Sequence, residues 1–302
     1  MNDYIKQFGR NYDYPQEAVQ SIIGAYDTLK NNLRFAEMLN NYYTDKTITK
    51  EVFLKDIRKI SEDEKINYFT VCLTFFVCLT PKLKEEYKKA DIPDDVSHDT
   101  IEDLKYKLFE CHKVQGVWGL EPTEWFYMLF HLKFLAFGRL QFNTNPFRWE
   151  YAEVAGISIT KGEELIYMHI PSSGRPFDKE SRLDAYDRAY KFFKQRYFPD
   201  KEPIFCCDTW LLFPENRDML DERSNIVSFM DDFKIFHSYT YRNFENPNLW
   251  RVFGSDAKRP PEELPRKSSI QKAYAEHLAK GNELGNGVGI FVYDPVNKET
   301  VK

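Results

Sequence analysis

Two apolar, β-rich runs of this chain carry groups able to move a proton. Residues 163–170 read EELIYMHI, with His169 one place from the end, and residues 204–212 read IFCCDTWLL, with Asp208 in the middle. His169 has the chemistry to take a proton from an amine, and equally serves as a hydrogen-bonded wall of a pocket. Asp208 is an acid in an otherwise apolar strand, a setting that suits a general base; a hydrogen bond to a loop at the sheet end is its plainer use. Side chains alternate along a strand, so Cys207 and Thr209 share one face and Cys206, Asp208 and Trp210 the other. The adjacent cysteines read as small core residues, with a thiolate nucleophile at Cys207 as the reactive alternative.

Between the two runs lies the turn Pro171-Ser172-Ser173-Gly174-Arg175-Pro176. A Ser-Ser-Gly turn ahead of a helix offers backbone N–H groups and the positive helix end to a phosphate, and Arg175 adds a guanidinium that pairs with one. The alternative is a turn that only feeds a capped helix, since no Walker-type loop is present. Elsewhere the signals are structural. His98, His112, His131, His237 and His277 show neither HxxxH nor HExxH spacing and the cysteines no CxxC, so no metal site is expected. The Gly-rich residues 280–289 follow a helix and precede a strand, the reverse of a dinucleotide fingerprint.

The elements that must position these groups form one unit: strand 163–170, loop, a helix over 178–197, and strand 204–212. This is a crossover connection whose loop lies beyond the carboxyl end of the first strand, where open α/β sheets bind ligands. Short β-like runs at 139–142 and 156–160 precede it, and Lys161-Gly162 reads as a hairpin turn into strand 163–170. After it, the pattern predicts a helix over 215–233, strands at 233–241, 249–253 and 287–293, and a helix over 268–280 with Ser268 as N-cap. The first half is helical throughout, with apolar residues at i, i+3 and i+4: segments 14–41, 45–60, 66–79 (ended by Pro81), 82–89, one opening at Ser97, and 122–137. The expected organisation is α+β, a helical N-terminal domain over 1–137 and a mixed α/β domain over 138–302.

Composition narrows the function classes. With 42% hydrophobic and 29% charged residues, the 302-residue chain is foldable rather than disordered. The net charge of −5, without any dense Lys/Arg run, argues against nucleic acid and anionic membrane as partners. The opening MNDYIKQFGR has no apolar stretch, so no signal peptide is expected, and an odd count of five cysteines fits a reducing cytoplasm. The most apolar run, residues 66–80, is shorter than the roughly 20 residues a bilayer span needs and reads as a buried helix.

Several stretches resemble the acyltransferase-domain proteins that join a helical N-terminal domain to a GNAT-like (GCN5-related N-acetyltransferase-like) C-terminal domain. They are HIPSSG (169–174), CDTWLLFP (207–214), SNIVSF (224–229), WRVFG (250–254) and LPRKSSIQ (264–271), with GRLQF (138–142) at the junction. The resemblance implies a sheet that holds acyl-CoA or acetyl-CoA between splayed central strands, with the pyrophosphate on Ser172, Ser173, Gly174 and Arg175. It departs from the usual Gln/Arg-x-x-Gly-x-Gly/Ala loop, because only Gly174 is a glycine and Pro171 lacks an N–H. On this resemblance an amine of a small molecule or peptide attacks the thioester directly. His169 or Asp208 is then the base, and Ser224 or Asn225 assists the leaving thiolate. A second reading keeps the GNAT-like fold as a metabolite- or protein-binding module without catalysis, and a third pairs Cys207 with His169 in a hydrolase.

Overall fold

The computed structural model describes residues 1–242 and 246–302. The chain divides into two compact units, Met1–Ala136 with Pro171–Ser173, and Phe137–Ile170 with Gly174–Lys302.

The first unit is helical: α1 (Asn2–Asn11), α2 (Gln16–Leu29), α3 (Leu33–Asn41), α4 (Lys50–Glu64), α5 (Tyr68–Lys89), α6 (Asp94–Gln115) and α7 (Thr123–Phe130). Helix α5 touches each of the other six, which explains why Val71–Leu79 is buried on every side. The aromatic content fills this core: Phe53, Phe75 and Phe76 pack with centroids 5.2–5.6 Å apart. Contrary to the expectation from Pro81, α5 runs through it. Proline leaves the Val77 carbonyl without its helical N–H, and the Thr80 hydroxyl takes that place, donating to Val77 O at 2.6 Å while Tyr4 donates to Thr80 Oγ1 at 2.6 Å. The segment expected as one helix over 14–41 breaks at Asn32, whose side chain accepts from Phe35 N and starts α3. The helix expected over 122–137 is only α7, after which the chain extends into the short strand β1 (Leu135–Phe137).

The second unit is built on a sheet ordered β2 (Leu140–Pro146), β5 (Glu164–His169), β6 (Ile204–Thr209), β8 (Leu284–Asp294) and β7 (Lys234–Tyr241), with β9 (Glu299–Val301) on β8. A separate hairpin, β3 (Tyr151–Val154) with β4 (Ile157–Thr160), covers one face. There Val154 and Ile159 join Leu165, Tyr167, Cys206, Val288 and Ile290 in one apolar cluster. Lys161-Gly162 is therefore not a hairpin turn into β5: β5 pairs with β2, and the chain crosses between the two sheets where Phe147 N donates to Glu163 O at 2.7 Å and Phe147 O accepts from Gly162 N at 2.9 Å. The opposite face packs on α8 (Lys179–Tyr197), where Tyr186, Phe205 and Phe291 stack with centroids 4.8–6.2 Å apart.

Strand β8 has a smooth side on that face. A Cβ at Gly287 would sit 1.9 Å from the Leu212 carbonyl, and one at Gly289 2.7 Å from Phe233. The helix expected over 215–233 is two short ones, α9 (Asn216–Met219) and α10 (Asn225–Met230). Residues 249–253, β-like in composition, form α11 (Leu249–Phe253), because Leu249, Val252 and Phe253 turn together into a cluster with Tyr274 and Leu278 of α12 (Ser269–Ala279). Helix α12 opens on the expected Ser268, completed by Gln271 as a capping box.

Candidate functional site

Strands β5 and β6 run parallel and share only two register pairs, Ile166↔Phe205 and Tyr167↔Cys206. β5 continues to His169 and β6 to Thr209, each held by its outer neighbour: His169 pairs with Gln141 of β2, and Thr209 with Gly287 of β8. The parallel pair is thus open at its carboxyl end, and the groups able to move protons stand on the two free ends.

His169 lies on the hairpin-covered face. Its Nε2 stands 2.8 Å from Asn143 Oδ1, and since a carbonyl oxygen only accepts, Nε2 carries the proton. Burial, helped by the Arg148 charge, pushes the imidazole down to about 4, so it is uncharged at neutral pH. Asp208 shares that face. Its Oδ1 accepts from the Tyr239 hydroxyl at 2.8 Å and from Asn286 Nδ2 at 3.0 Å, and Asn286 Oδ1 accepts in turn from Asn248 at 3.1 Å. Arg148 approaches Asp208 Oδ2 at 3.9 Å and lies over the rings of Trp149 and Tyr167. Burial, with Tyr241 and Asp208 beside it, raises the Tyr239 phenol far above its ordinary value, so it donates.

The remaining candidates stand on the other face of the sheet or on other elements. Cys207 is on the α8 face, where its Sγ donates to Met168 O at 3.4 Å and burial drives its thiol well up. His169 and Cys207 thus stand on opposite faces, and the hydrolase pairing is not formed. Trp210 is not a strand residue: β6 ends at Thr209, and Trp210 opens a 3-10 turn with its ring edge-on to Tyr274 at 5.9 Å. Ser224 caps α10, its Oγ accepting from Val227 N at 3.2 Å, and Asn225 is exposed on the first turn.

In the loop after β5, Ser173 N bonds back to Pro171 O, Gly174 takes a left-handed φ of 67°, and Arg175 Nη1 donates to Gly138 O at 3.3 Å. Helix α8 begins only at Lys179, and the Asp178 carboxylate caps it by accepting from Ser181 N at 2.8 Å. The positive helix end is therefore already matched to a carboxylate rather than left open behind Gly174. One turn further on, fully buried Arg182 pairs with Asp232 at 2.7 Å and donates to Phe177 O at 3.1 Å, which ties the end of the loop to the helix.

Asn143, Arg148, Tyr239 and Asn286 had not been singled out from the sequence. Asn143 and Asn286 are amides at buried positions of β2 and β8, where a polar partner is needed, but both fall just outside the runs read as strands, 139–142 and 287–293. Among the described residues no group of three or more His, Cys, Asp or Glu is placed to hold a metal ion. Nor is any single helix among them long and apolar enough to cross a membrane, although α4 and α5 together, bent by 116°, reach the required length and composition.

Comparison with known proteins agrees with this architecture. Residues 134–291, just over half of the chain, match the GNAT-like C-terminal domain, and residues 3–132 match the N-acyltransferase N-terminal domain. No curated protein matches the chain. Among solved structures, an acyltransferase in complex with decanoyl-CoA and teicoplanin is similar with a TM-score of 0.72 at 19% identity, over 95% of this chain and 87% of its own. An acyltransferase in complex with decanoyl-CoA gives 0.71 at 22% identity over the same shares. One with CoA and 10C-teicoplanin gives 0.71 at 19%, over 94% of this chain and 86% of its own. Helical first unit, mixed second unit and the two matched domains agree, and the chain belongs to the family of proteins that carry a GNAT-like C-terminal domain behind an N-acyltransferase N-terminal domain.

Proposed function

We propose that this protein is an acyl-CoA-dependent N-acyltransferase. The observation that carries the reading is the open carboxyl end of the β5–β6 pair, with His169 and Asp208 on one face of it. Acyl-CoA enters between the strand ends, and backbone N–H groups stabilise the oxyanion. The amine nitrogen attacks the thioester carbonyl carbon, the C–N bond forms, and collapse of the tetrahedral intermediate breaks C–S and releases CoA as thiolate. After attack the amine nitrogen is far more acidic, so a weak base suffices. His169 takes that proton, or Asp208 takes it, through a water where distance requires one. Ser224 or Asn225 meets the thiolate; capping occupies only the Ser224 oxygen, which leaves its proton to give. Ser172, Ser173, Gly174 and Arg175 hold the pyrophosphate by backbone N–H groups and one guanidinium.

The acyltransferases of similar fold bear decanoyl-CoA or CoA, and in two cases a teicoplanin. These complexes support acyl-CoA as co-substrate here and a small-molecule amine as acceptor, with a peptide amine as the other form. Five buried free thiols suit a reducing cytoplasm. The functional division falls between residues 137 and 138.

A second reading, a binding module of the same fold without catalysis, is favoured by one observation: Asp178 occupies the end of α8 that a pyrophosphate would use. Mass spectrometry of protein purified without added ligand, followed by an assay of thiol release from decanoyl-CoA with a panel of amines, decides between them. Co-purified CoA with amine-dependent thiol release supports the transferase. Binding without release supports the module, and no CoA binding at millimolar concentration overturns the acyl-CoA reading.

A further inference from the structure

The helical unit contains a cavity of about 370 Å³ that acyl transfer does not use, between the turn after α3, the start of α4 and the end of α7. Its volume is at the lower end of the range for small-molecule sites. Buried Tyr42 lines it together with Tyr43, Tyr127 and His131. The His131 imidazole stands among three phenol rings, with centroids 4.3 Å from Tyr127, 4.9 Å from Tyr42 and 6.4 Å from Tyr43. The Tyr127 hydroxyl donates to Ile48 O at 2.9 Å, which holds its ring in place.

One nitrogen of this cavity is left to accept. His131 Nδ1 is 2.7 Å from the Tyr127 backbone oxygen, which only accepts, so the proton is on Nδ1 and Nε2 presents a lone pair. No donor among the described residues reaches that Nε2. Burial lowers the affinity of the ring for a second proton, so it stays neutral. At the rim, Asp45 is held ionised by its bonds to Thr47, and exposed Lys46 and Lys50 stand beside it.

A lone-pair nitrogen, a carboxylate and ring faces together select an ammonium group, and two lysines at the rim select an anion on the same ligand. We infer that this cavity is a binding site for a small zwitterion, a primary ammonium joined to a carboxylate. The site lies within the helical unit alone and is independent of the acyl-transfer reading, so either stands if the other fails.

Calorimetry of the full chain with 4-aminobutanoate tests it, with butylammonium and butanoate as arms that each carry one of the charges. Saturable binding is expected for 4-aminobutanoate, weaker binding for butylammonium and the weakest for butanoate. His131→Phe and Asp45→Asn each remove one partner of the ammonium and should weaken 4-aminobutanoate about tenfold. Because His131→Phe alters the interior, the exposed double variant Lys46→Glu/Lys50→Glu is the safeguard: it should weaken 4-aminobutanoate and leave butylammonium unchanged or tighter. No saturable heat with any of the three ligands at tens of millimolar overturns the proposal. So does butanoate binding as tightly as butylammonium, or a full set of variants without effect.

Discussion

The Tyr239 hydroxyl donates a 2.8 Å hydrogen bond to Asp208 Oδ1 across the width of strand β8, which lies between their two strands and contributes Asn286 to the same oxygen. Three strands are therefore tied at one carboxylate. Tyr239→Phe removes one donor and should lower stability by about 1–2 kcal/mol, a hydrogen bond to a charged group. Asp208→Asn should do the same and, if Asp208 is the base, also reduce acyl transfer by about 100-fold or more. Thermal denaturation and thiol-release rates on both variants check this. Equal activity in Asp208→Asn and the native protein would remove Asp208 from the chemistry and leave His169.

His169 makes stability depend on pH. Its folded-state value of about 4 lies below its ordinary 6.5, so folding favours the neutral ring and the unfolded chain binds the extra proton first. The contribution is present in full above pH 6.5 and is lost as the pH falls through the window down to about 4. It amounts to at most about 3 kcal/mol. Urea denaturation at steps across that window should show a slope that His169→Gln flattens, and an unchanged slope in the variant would contradict the assignment.

Two glycines should respond with opposite sign. A methyl at Gly287 meets the Leu212 backbone at 1.9 Å, so Gly287→Ala must displace the 3-10 turn and should cost about 1–3 kcal/mol. Gly24 sits inside α2 with nothing within 4 Å of a built Cβ, so Gly24→Ala should stabilise by about 0.5–1 kcal/mol through helix propensity. Melting temperatures of the pair provide the comparison.

The loop after β5 should act through backbone rather than hydroxyl groups. Ser172→Ala is expected to leave CoA affinity within about twofold, since an exposed surface side chain contributes little. Gly174→Val forces a β-branched residue into a φ of 67° and should abolish the turn. Arg175→Glu reverses a charge and should weaken CoA about tenfold, less at high salt. Titration of CoA into the three variants orders them; a Ser172→Ala effect as large as that of Gly174→Val would move the phosphate contact onto the hydroxyl.

The helical half, the β5–α8–β6 crossover and the Ser268 cap were legible because each depends on neighbours in sequence: apolar spacing, a Ser followed by Gln271, a turn between two apolar runs. What escaped depends on distant partners. Pro81 reads as a helix end until Thr80 is found bonded to Val77 O. Residues 249–253 have strand-forming side chains, yet their contact with Tyr274 of α12 makes them a helix. Asp208 was visible, but its donors come from β7 and β8, and the order β6-β8-β7 that brings them together cannot be read from chain order. The same holds for the Asn143 partner of His169, supplied by a strand that the sequence reading ended at Phe142.

The two-pair seam between β5 and β6 has one more consequence, for how this fold can change over generations of sequence. Because each strand keeps its ladder with the outer neighbour, a wider gap between Met168 and Cys207 breaks no strand-to-strand ladder bond, only the bond from Cys207 Sγ to Met168 O. On the proposed reading, in which acyl-CoA enters between these strand ends, the seam is where related chains should differ in the acyl group they take.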